Sequence, residues 1–430
     1  MRQALLLLSI ILFPTLAQSK ERTLEETFLT AAQRSEAVAS QLEVILQAKE
    51  DLSQARGAIL PNISLDASYS KEKYIHESQI LPTFHRSVRL TLQQPLFRGL
   101  AEYAAIRQQS NVVAAKSFAA QNAARRLYSD TATAFFTVIS LEQAKKDLQQ
   151  EHHLTKERLN ELNRFYKIGR RQLTDVLSVE ANIASLEAQI EGIEGNLANA
   201  RVTIHFLTDW PKNVALQDIN FQPLALEPLT TYQASLESRA DITSARSENE
   251  ASAESIAIAR GSHLPSLDVV SNYYVTDQGQ ATDPRWDVAL VASLPIYSGG
   301  ITSSRVRSAQ SSLAQAELNL AATRRAAQAE LQSAYEAVVA DQKQVARLTQ
   351  LVAVTKKNWK TTKQYFQNGL VTNLEVNAAL TSYQEAERQL DQQYYIWNLD
   401  LIKLQAASGS MENLFAKAAR VPSTGKRNTL

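Results

Sequence analysis

Between Gly99 and Gly169 the chain contains neither glycine nor proline, and between Gly300 and Gly369 it again contains neither. These two residue types are the strongest breakers of regular structure, and the 12 glycines and 11 prolines of the sequence all fall outside these runs. Each run therefore predicts one helix of roughly 70 residues, about 100 Å long at 1.5 Å per residue. No compact domain is that wide, so the three or so ordinary domains that the length alone suggests are a misleading expectation. Shorter breaker-free runs, 23–56 and 229–260, lead to Gly57 and Gly261, and two more helical runs follow Gly169 and Gly369, ending near Pro211 and Gly409. Gly192 and Gly195, inside the first of these, are expected to mark a bend.

Set side by side, the two halves form a repeat. "ARGAILPNISL" at 55–65 matches "ARGSHLPSLDV" at 259–269, and "QPLFRG" at 94–99 matches "LPIYSG" at 294–299. The prolines pair at different offsets, Pro61 with Pro265 but Pro95 with Pro295, so a length-tolerant loop lies between them. That interval has period two. Ile63, Leu65, Ala67 and Tyr69 alternate with Asn62, Ser64, Asp66 and Ser68, and Val88, Leu90 and Leu92 alternate with Arg89, Thr91 and Gln93. Leu267, Val269 and Tyr273, then Val288, Leu290, Ala292 and Leu294 ahead of Tyr297, repeat the alternation. Each half thus reads as helix, β-hairpin, very long helix, break, helix, with polar hairpin loops at 70–85 and 276–285.

The flanks and the charge balance bound what such a chain can do. Met1 to Gln3, ten apolar residues from Ala4 to Phe13, and "PTLAQS" with Ala17 as a small residue have the form of a secretory signal peptide over 1–17. Ten apolar residues are too few to span a bilayer, and no later stretch approaches the needed length, so any membrane insertion must use strands. The chain has 45 basic and 44 acidic residues, which leaves no basic surplus for nucleic acid, and it has no cysteine and hence no disulfide framework. His152 and His153 are adjacent on a helix and diverge; with no metal-ligand spacing, phosphate loop or nucleophile elbow, neither an enzyme nor a cofactor is indicated.

A half-buried hairpin packed on helices is the common use of such strands. Here the hairpins sit at the ends of very long helices with little to cover their apolar faces, and their length suits a tilted bilayer crossing with tyrosines near the ends. Four strands cannot close a barrel, and open edges are not tolerated in hydrocarbon, so several chains must contribute to one barrel. Leu331, Val338, Val345, Val352 and Trp359 recur every seven residues as a coiled-coil seam, and "AATRRAAQAELQSAYEAVVA" lets helices approach closely. A filled helical bundle, in the form of a non-membrane periplasmic coiled-coil scaffold, is the alternative.

In this order and spacing, the Leu60-Pro61 and Leu264-Pro265 strand starts, the Pro95–Gly99 and Pro295–Gly299 strand ends, the glycine breaks followed by an acid and a valine, and "ESRADITSARSENEA" at 237–251 resemble the outer-membrane efflux proteins, the TolC-like channels. The resemblance covers essentially the whole mature chain. It implies a mainly α fold with a small β part, a homotrimer whose chains each give four strands to a twelve-stranded barrel, and a helical tunnel through the periplasm. It implies an outer-membrane location in a Gram-negative envelope, in contact with outer-membrane lipid, and passive conduction of substrates from an inner-membrane pump of the RND, ABC or MFS type through a periplasmic adaptor, in efflux or type I secretion. The organisation expected is a signal peptide over 1–17, a first repeat over 18–211 with its hairpin at about 61–97, a linker over 212–228, a second repeat over 229–409 with its hairpin at about 265–297, and a tail over 410–430.

By the same resemblance the two glycine breaks are the turns at the periplasmic mouth, where the adaptor docks. Gly369, Leu370 and Thr372 fit the family's Gly-Leu-x-Thr docking turn, whereas Gly169-Arg170-Arg171-Gln172 departs from it. Asp175 and Glu375, six residues past each glycine, are expected to line or brace the entrance with Tyr166 and Phe366. The family's Tyr and Arg latch positions read Phe366 and Val371 here, so Arg170 or Arg171 is expected to supply the positive partner of Glu375. The competing reading is that Asp175 and Glu375 only cap the helices that restart after each turn.

Overall fold

The computed structural model of the chain describes residues 21–71, 84–218, 226–278 and 285–419. The expected signal peptide, most of both hairpin loops, part of the linker and the last residues of the tail lie outside this set. Nine α-helices and four strands are found among the described residues: α1 Leu24–Arg34, α2 Glu36–Gly57, β1 Asn62–Lys71, β2 Phe84–Arg98, α3 Ala101–Lys167, α4 Leu173–Thr208, α5 Leu229–Ala234, α6 Ala240–Gly261, β3 Ser266–Gln278, β4 Trp286–Ser293, α7 Ile301–Gln367, α8 Asn373–Ser408 and α9 Glu412–Ala418. Helix lengths come in pairs. α2 and α6 have 22 residues each, α3 and α7 have 67, and α4 and α8 have 36. The fold is thus mainly helical with one small antiparallel sheet.

α4 continues as one helix through Gly192 and Gly195, because a glycine costs a helix interior only about 1 kcal/mol and the rest of α4 sustains it. Two local features differ from the sequence reading. β4 stops at Ser293 instead of continuing through Leu294; Pro295 has no N–H to give a ladder, and the strand is an edge. The stretch assigned to a tail contains α9, anchored by Phe415, which is fully buried with its ring 5.7 Å from that of Tyr128.

The chain divides into two compact units. The first comprises Met1–Ala31, Asp130–Pro223 and Asp341–Leu399, and the second comprises Ala32–Ser129, Leu224–Ala340 and Asp400–Leu430.

The second unit holds the sheet, in the order β1-β2-β3-β4 with every pair antiparallel. The register separates most of the apolar side chains from the carboxylates. Ile63, Leu65 and Ala67 oppose Leu92, Leu90 and Val88, and Val269 opposes Leu290, on one face. The other face carries Asp66, Thr91, Asn272 and Asp287, joined by hydrogen bonds from Thr91 Oγ1 to Asp66 (2.9 Å) and to Asn272 (3.0 Å), and from Asn272 Nδ2 to Asp287 (3.1 Å). The polar face is thus satisfied internally, while Leu65, Leu90, Val288 and Leu290 of the apolar face remain 42–67% exposed.

Small residues bring the helices of this unit together. Ala104, Ala115, Ala120 and Ala124 on α3 are all buried, and Ser244 of α6 donates to the Ala115 carbonyl at 2.9 Å. At the root of the sheet a Cβ added to Gly99, whose φ is +67°, would lie 2.3 Å from the Gly261 carbonyl oxygen, so only glycine fits. The corresponding positions of the repeat, Gly299 and Gly57, face open space in the single chain.

Arg239 is the largest fully buried side chain of the unit. Its guanidinium donates to Asp241 at 3.0 and 2.6 Å, to Glu330 at 2.7 Å and to the Ala407 carbonyl at 3.0 Å. Burial would raise both acids, but the positive charges of Arg239 and Arg125 outweigh it and hold them below the usual carboxylate range. A buried cation is tolerable only with such complete pairing. The Arg-x-Asp stretch singled out in the sequence is thus the knot between α6, α7 and the end of α8.

Candidate functional site: the two helix turns

Both turns belong to the first unit and are built alike. α3 ends in a Schellman arrangement, with Gly169 N–H donating to the Tyr166 carbonyl at 2.9 Å and Arg170 N–H to Phe165 at 2.9 Å. α7 ends the same way, Gly369 donating to Phe366 at 3.0 Å and Leu370 to Tyr365 at 2.9 Å. Each motif needs one left-handed residue, and the glycines supply it with φ of +69° and +76°.

The helices then restart on capping boxes of unequal quality. At α8, Thr372 N–H donates to Glu375 Oε2 at 2.7 Å, Thr372 Oγ1 donates to the same oxygen at 2.8 Å, and Glu375 N–H reaches back to Thr372 Oγ1 at 3.4 Å. This is the reciprocal Thr-x-x-Glu box. At α4 the equivalent bond, Gln172 N–H to Asp175 Oδ2, is 3.4 Å long. The Thr372 N–H and hydroxyl hold the Glu375 carboxyl below its ordinary range.

Within the chain Arg171 does not face Glu375. Its guanidinium lies 4.0 Å from the centroid of the Phe366 ring, over which Arg158 of α3 also stands at 5.5 Å. The ring face attracts cations, and Glu375 Oε2 is already engaged by Thr372. The expected pairing of Arg171 with Glu375 is therefore replaced by stacking on Phe366, which is itself packed on a core of Leu162, Val176, Val179 and Ile183. Arg170, Tyr166, Leu370 and Thr372 are exposed.

Two residues that the sequence reading missed join the turns. Asn373, 2% exposed at the start of α8, accepts a 2.6 Å bond from Arg158 and donates to the carbonyl of Asp175 at 3.4 Å. The available signal was a difference between the repeats. The position equivalent to Asn373 is Leu173, which is exposed.

Farther along the same unit, Asp391 is pushed up to about 6 by burial, with the Asp147 and Glu387 carboxylates adding to the rise. Burial also raises Asp147 and Glu151, the latter despite its ion pair with Arg388. His152 and His153 engage different acids, Glu187 at 3.0 Å and Glu157 at 3.4 Å. Among the described residues no cluster could hold a metal ion and no helix is long and apolar enough to cross a membrane.

Comparison with known proteins agrees with this architecture. Residues 231–410 match the family model described as outer membrane efflux protein. The chain is 23% identical over 380 residues to the outer membrane protein TolC of Escherichia coli (strain K12), covering 84% of this chain and 77% of that protein. It is 25% identical over 397 residues to the proteases secretion protein PrtF of Dickeya chrysanthemi, covering 84% and 83%. Its fold is similar to that of the outer membrane protein VceC from Vibrio cholerae, with a TM-score of 0.78 at 20% identity over 90% of this chain and 96% of that one.

Proposed function

We infer that this chain, a TolC-like member of the outer membrane efflux proteins, is an outer-membrane duct for efflux or secretion. The observation that carries the reading is the exposed apolar face of the four-stranded sheet, whose outer strands β1 and β4 each pair on one side only among the described residues. In water such a face and such edges favour aggregation. In a bilayer the face is at home, and the edges must be closed by further strands because unpaired backbone groups cost several kcal/mol each in hydrocarbon. A periplasmic scaffold with no membrane part leaves that face unexplained and is not favoured.

Three copies giving four strands each make a twelve-stranded barrel, with the polar face of Asp66, Thr91, Asn272 and Asp287 lining a wet lumen. The long helices continue the passage through the periplasm, and the turns at Gly169 and Gly369 form its mouth. There Leu370 and Thr372 present the docking surface for a periplasmic adaptor, and an inner-membrane pump supplies the energy. Glu375 and Asp175, repeated around a threefold axis, give rings of carboxylates that favour cations. Arg170, whose exposed side chain lies outside the capping bonds made by its backbone, is the protomer's candidate for the opposing charge. The duct performs no chemistry of its own.

Single-channel recording of the protein purified from outer membranes and reconstituted in a planar bilayer tests the reading. Discrete cation-preferring openings are expected. A mature protein that is soluble without detergent and forms no membrane-bound oligomer would overturn it.

A further inference from the structure

We propose that the hairpin end of the apolar sheet face binds the phosphate groups of anionic lipid in the outer leaflet. The proposal rests on the reading of the sheet as part of a membrane barrel.

The register places Tyr69 opposite Arg86 and Lys71 opposite Phe84, so two cations and two aromatic rings share the face that carries Ile63, Leu65 and Ala67. All four are exposed. The Arg86 guanidinium stands 5.5 Å from the Tyr69 ring centroid and 5.4 Å from that of Phe84. On the neighbouring hairpin Tyr273 opposes Trp286 on the same face, both exposed and again near the hairpin end. Aromatic rings at this level mark the boundary between hydrocarbon and headgroups. The connections to helices lie at the other end of every strand, so this boundary is the outer one.

Charge is divided between the two faces. Among the described residues of the strands, the acids Asp66, Asp268, Asp277 and Asp287 all fall on the polar face by register. There Arg89 lies 3.7 Å from Asp66 and Arg98 lies 2.7 Å from Asp268. Among the described residues the apolar face carries Arg86 and Lys71 and no carboxylate. A cation facing lipid is costly unless it reaches an anion or the interface, and the two rings hold Arg86 in place ahead of binding. A guanidinium fork matches phosphate oxygens bidentately, and Lys71, two rungs along the ladder and about 7 Å away, adds a point charge. The apolar band immediately below offers acyl chains a surface that free phosphate has no use for, so the ligand is a lipid headgroup.

Titration of the detergent-purified oligomer by native mass spectrometry, with a diphosphorylated hexa-acyl glucosamine disaccharide and its dephosphorylated form, tests the site. The phosphorylated lipid is expected to stay bound and the dephosphorylated one to be lost. Binding should weaken about tenfold or more in the Lys71→Gln/Arg86→Gln variant, in part in Arg86→Lys, and not in Arg89→Gln on the polar face. Equal retention of both lipids by the unaltered protein, unchanged affinity in the double variant, or displacement by equimolar inorganic phosphate would each overturn the site. Those outcomes leave a conducting, detergent-requiring oligomer; failure of the barrel reading itself would leave none.

Discussion

Arg158, deep in α3, and Asn373, the first residue of α8, are joined by a 2.6 Å hydrogen bond beneath the two helix turns. Burial lowers the Arg158 guanidinium from its usual value, so the cation depends on this partner and on the Phe366 ring. Asn373→Leu, which installs the residue of the first repeat, removes the acceptor and the bond to the Asp175 carbonyl. A loss of about 1 to 3 kcal/mol in unfolding free energy is expected, together with more frequent channel openings in bilayer recordings. Unchanged thermal stability and gating would show that the bond does not hold the turns.

Glu375 is tested through pH. Its folded pKa is depressed, so its cap contributes at neutral pH and is lost as pH falls through that lowered value. The protection of the first turn of α8, taken relative to the intrinsic exchange rate at each pH, should therefore fall on acidification below the ordinary carboxylate range. Glu375→Gln, which keeps an acceptor but not the charge, should be less protected at pH 7 and show no such dependence. If the same variant leaves ion selectivity unaltered, Glu375 is a cap alone and not part of the gate.

Asp391 has the opposite sign. Its folded pKa of about 6 exceeds the unfolded value, so its contribution to stability is gained on acidification and lost as pH rises through 6. The nominal effect is about 3 kcal/mol, which solvent screening of this half-exposed group cuts to about 1 kcal/mol. Asp391→Asn should raise the melting temperature at pH 7.5, about half as much at pH 5 and little at pH 4. Equal effects at all three pH values would exclude the Asp147, Glu387 and Asp391 cluster as the cause.

The repeat predicts the register between copies. Leu92 of β2 opposes Ser271 of β3, and their equivalents by the repeat offsets are Ala292 on β4 and Ala67 on β1. In the proposed twelve-stranded barrel, β4 of one copy should therefore meet β1 of the next with Ala292 opposite Ala67. The sequence has no cysteine, so Ala67→Cys/Ala292→Cys introduces the only two thiols. Mild oxidation should give covalent trimers on denaturing gels, each single variant staying monomeric; monomers from the double variant would refute the register.

Much of this was legible because glycine and proline act locally. Gly169 and Gly369 announce the turns, and an acid three residues after Gln172 or Thr372 announces the caps, since each bond closes within six residues. Alternation along β1 and β2 announces the faces of the sheet. Arg158 and Asn373 were not legible, because their meeting depends on helix packing across 215 positions and neither stands out in its own window. The reassignment of Arg171 from Glu375 to Phe366 has the same origin: charge suggested a partner, and geometry had already supplied Glu375 with one. α9 escaped notice because a seven-residue helix carries too little periodicity to detect.

Gly99 and Gly261 seat one half of the chain against the other, whereas Gly299 and Gly57 carry matching surfaces that meet nothing in a single chain. In the closed ring proposed above those surfaces would face the neighbouring copy, so that one joint would serve both within a chain and between chains. The elementary brick would then be a single repeat, and three chains of two repeats each would close a ring of six bricks. Two bricks on one chain allow what six identical pieces lack. The bricks can diverge, and they have: one turn keeps Asn373 and a tight Thr372–Glu375 box, the other Leu173 and the looser Gln172–Asp175 box. Around the proposed mouth the two kinds would alternate, offering a binding partner two sorts of groove.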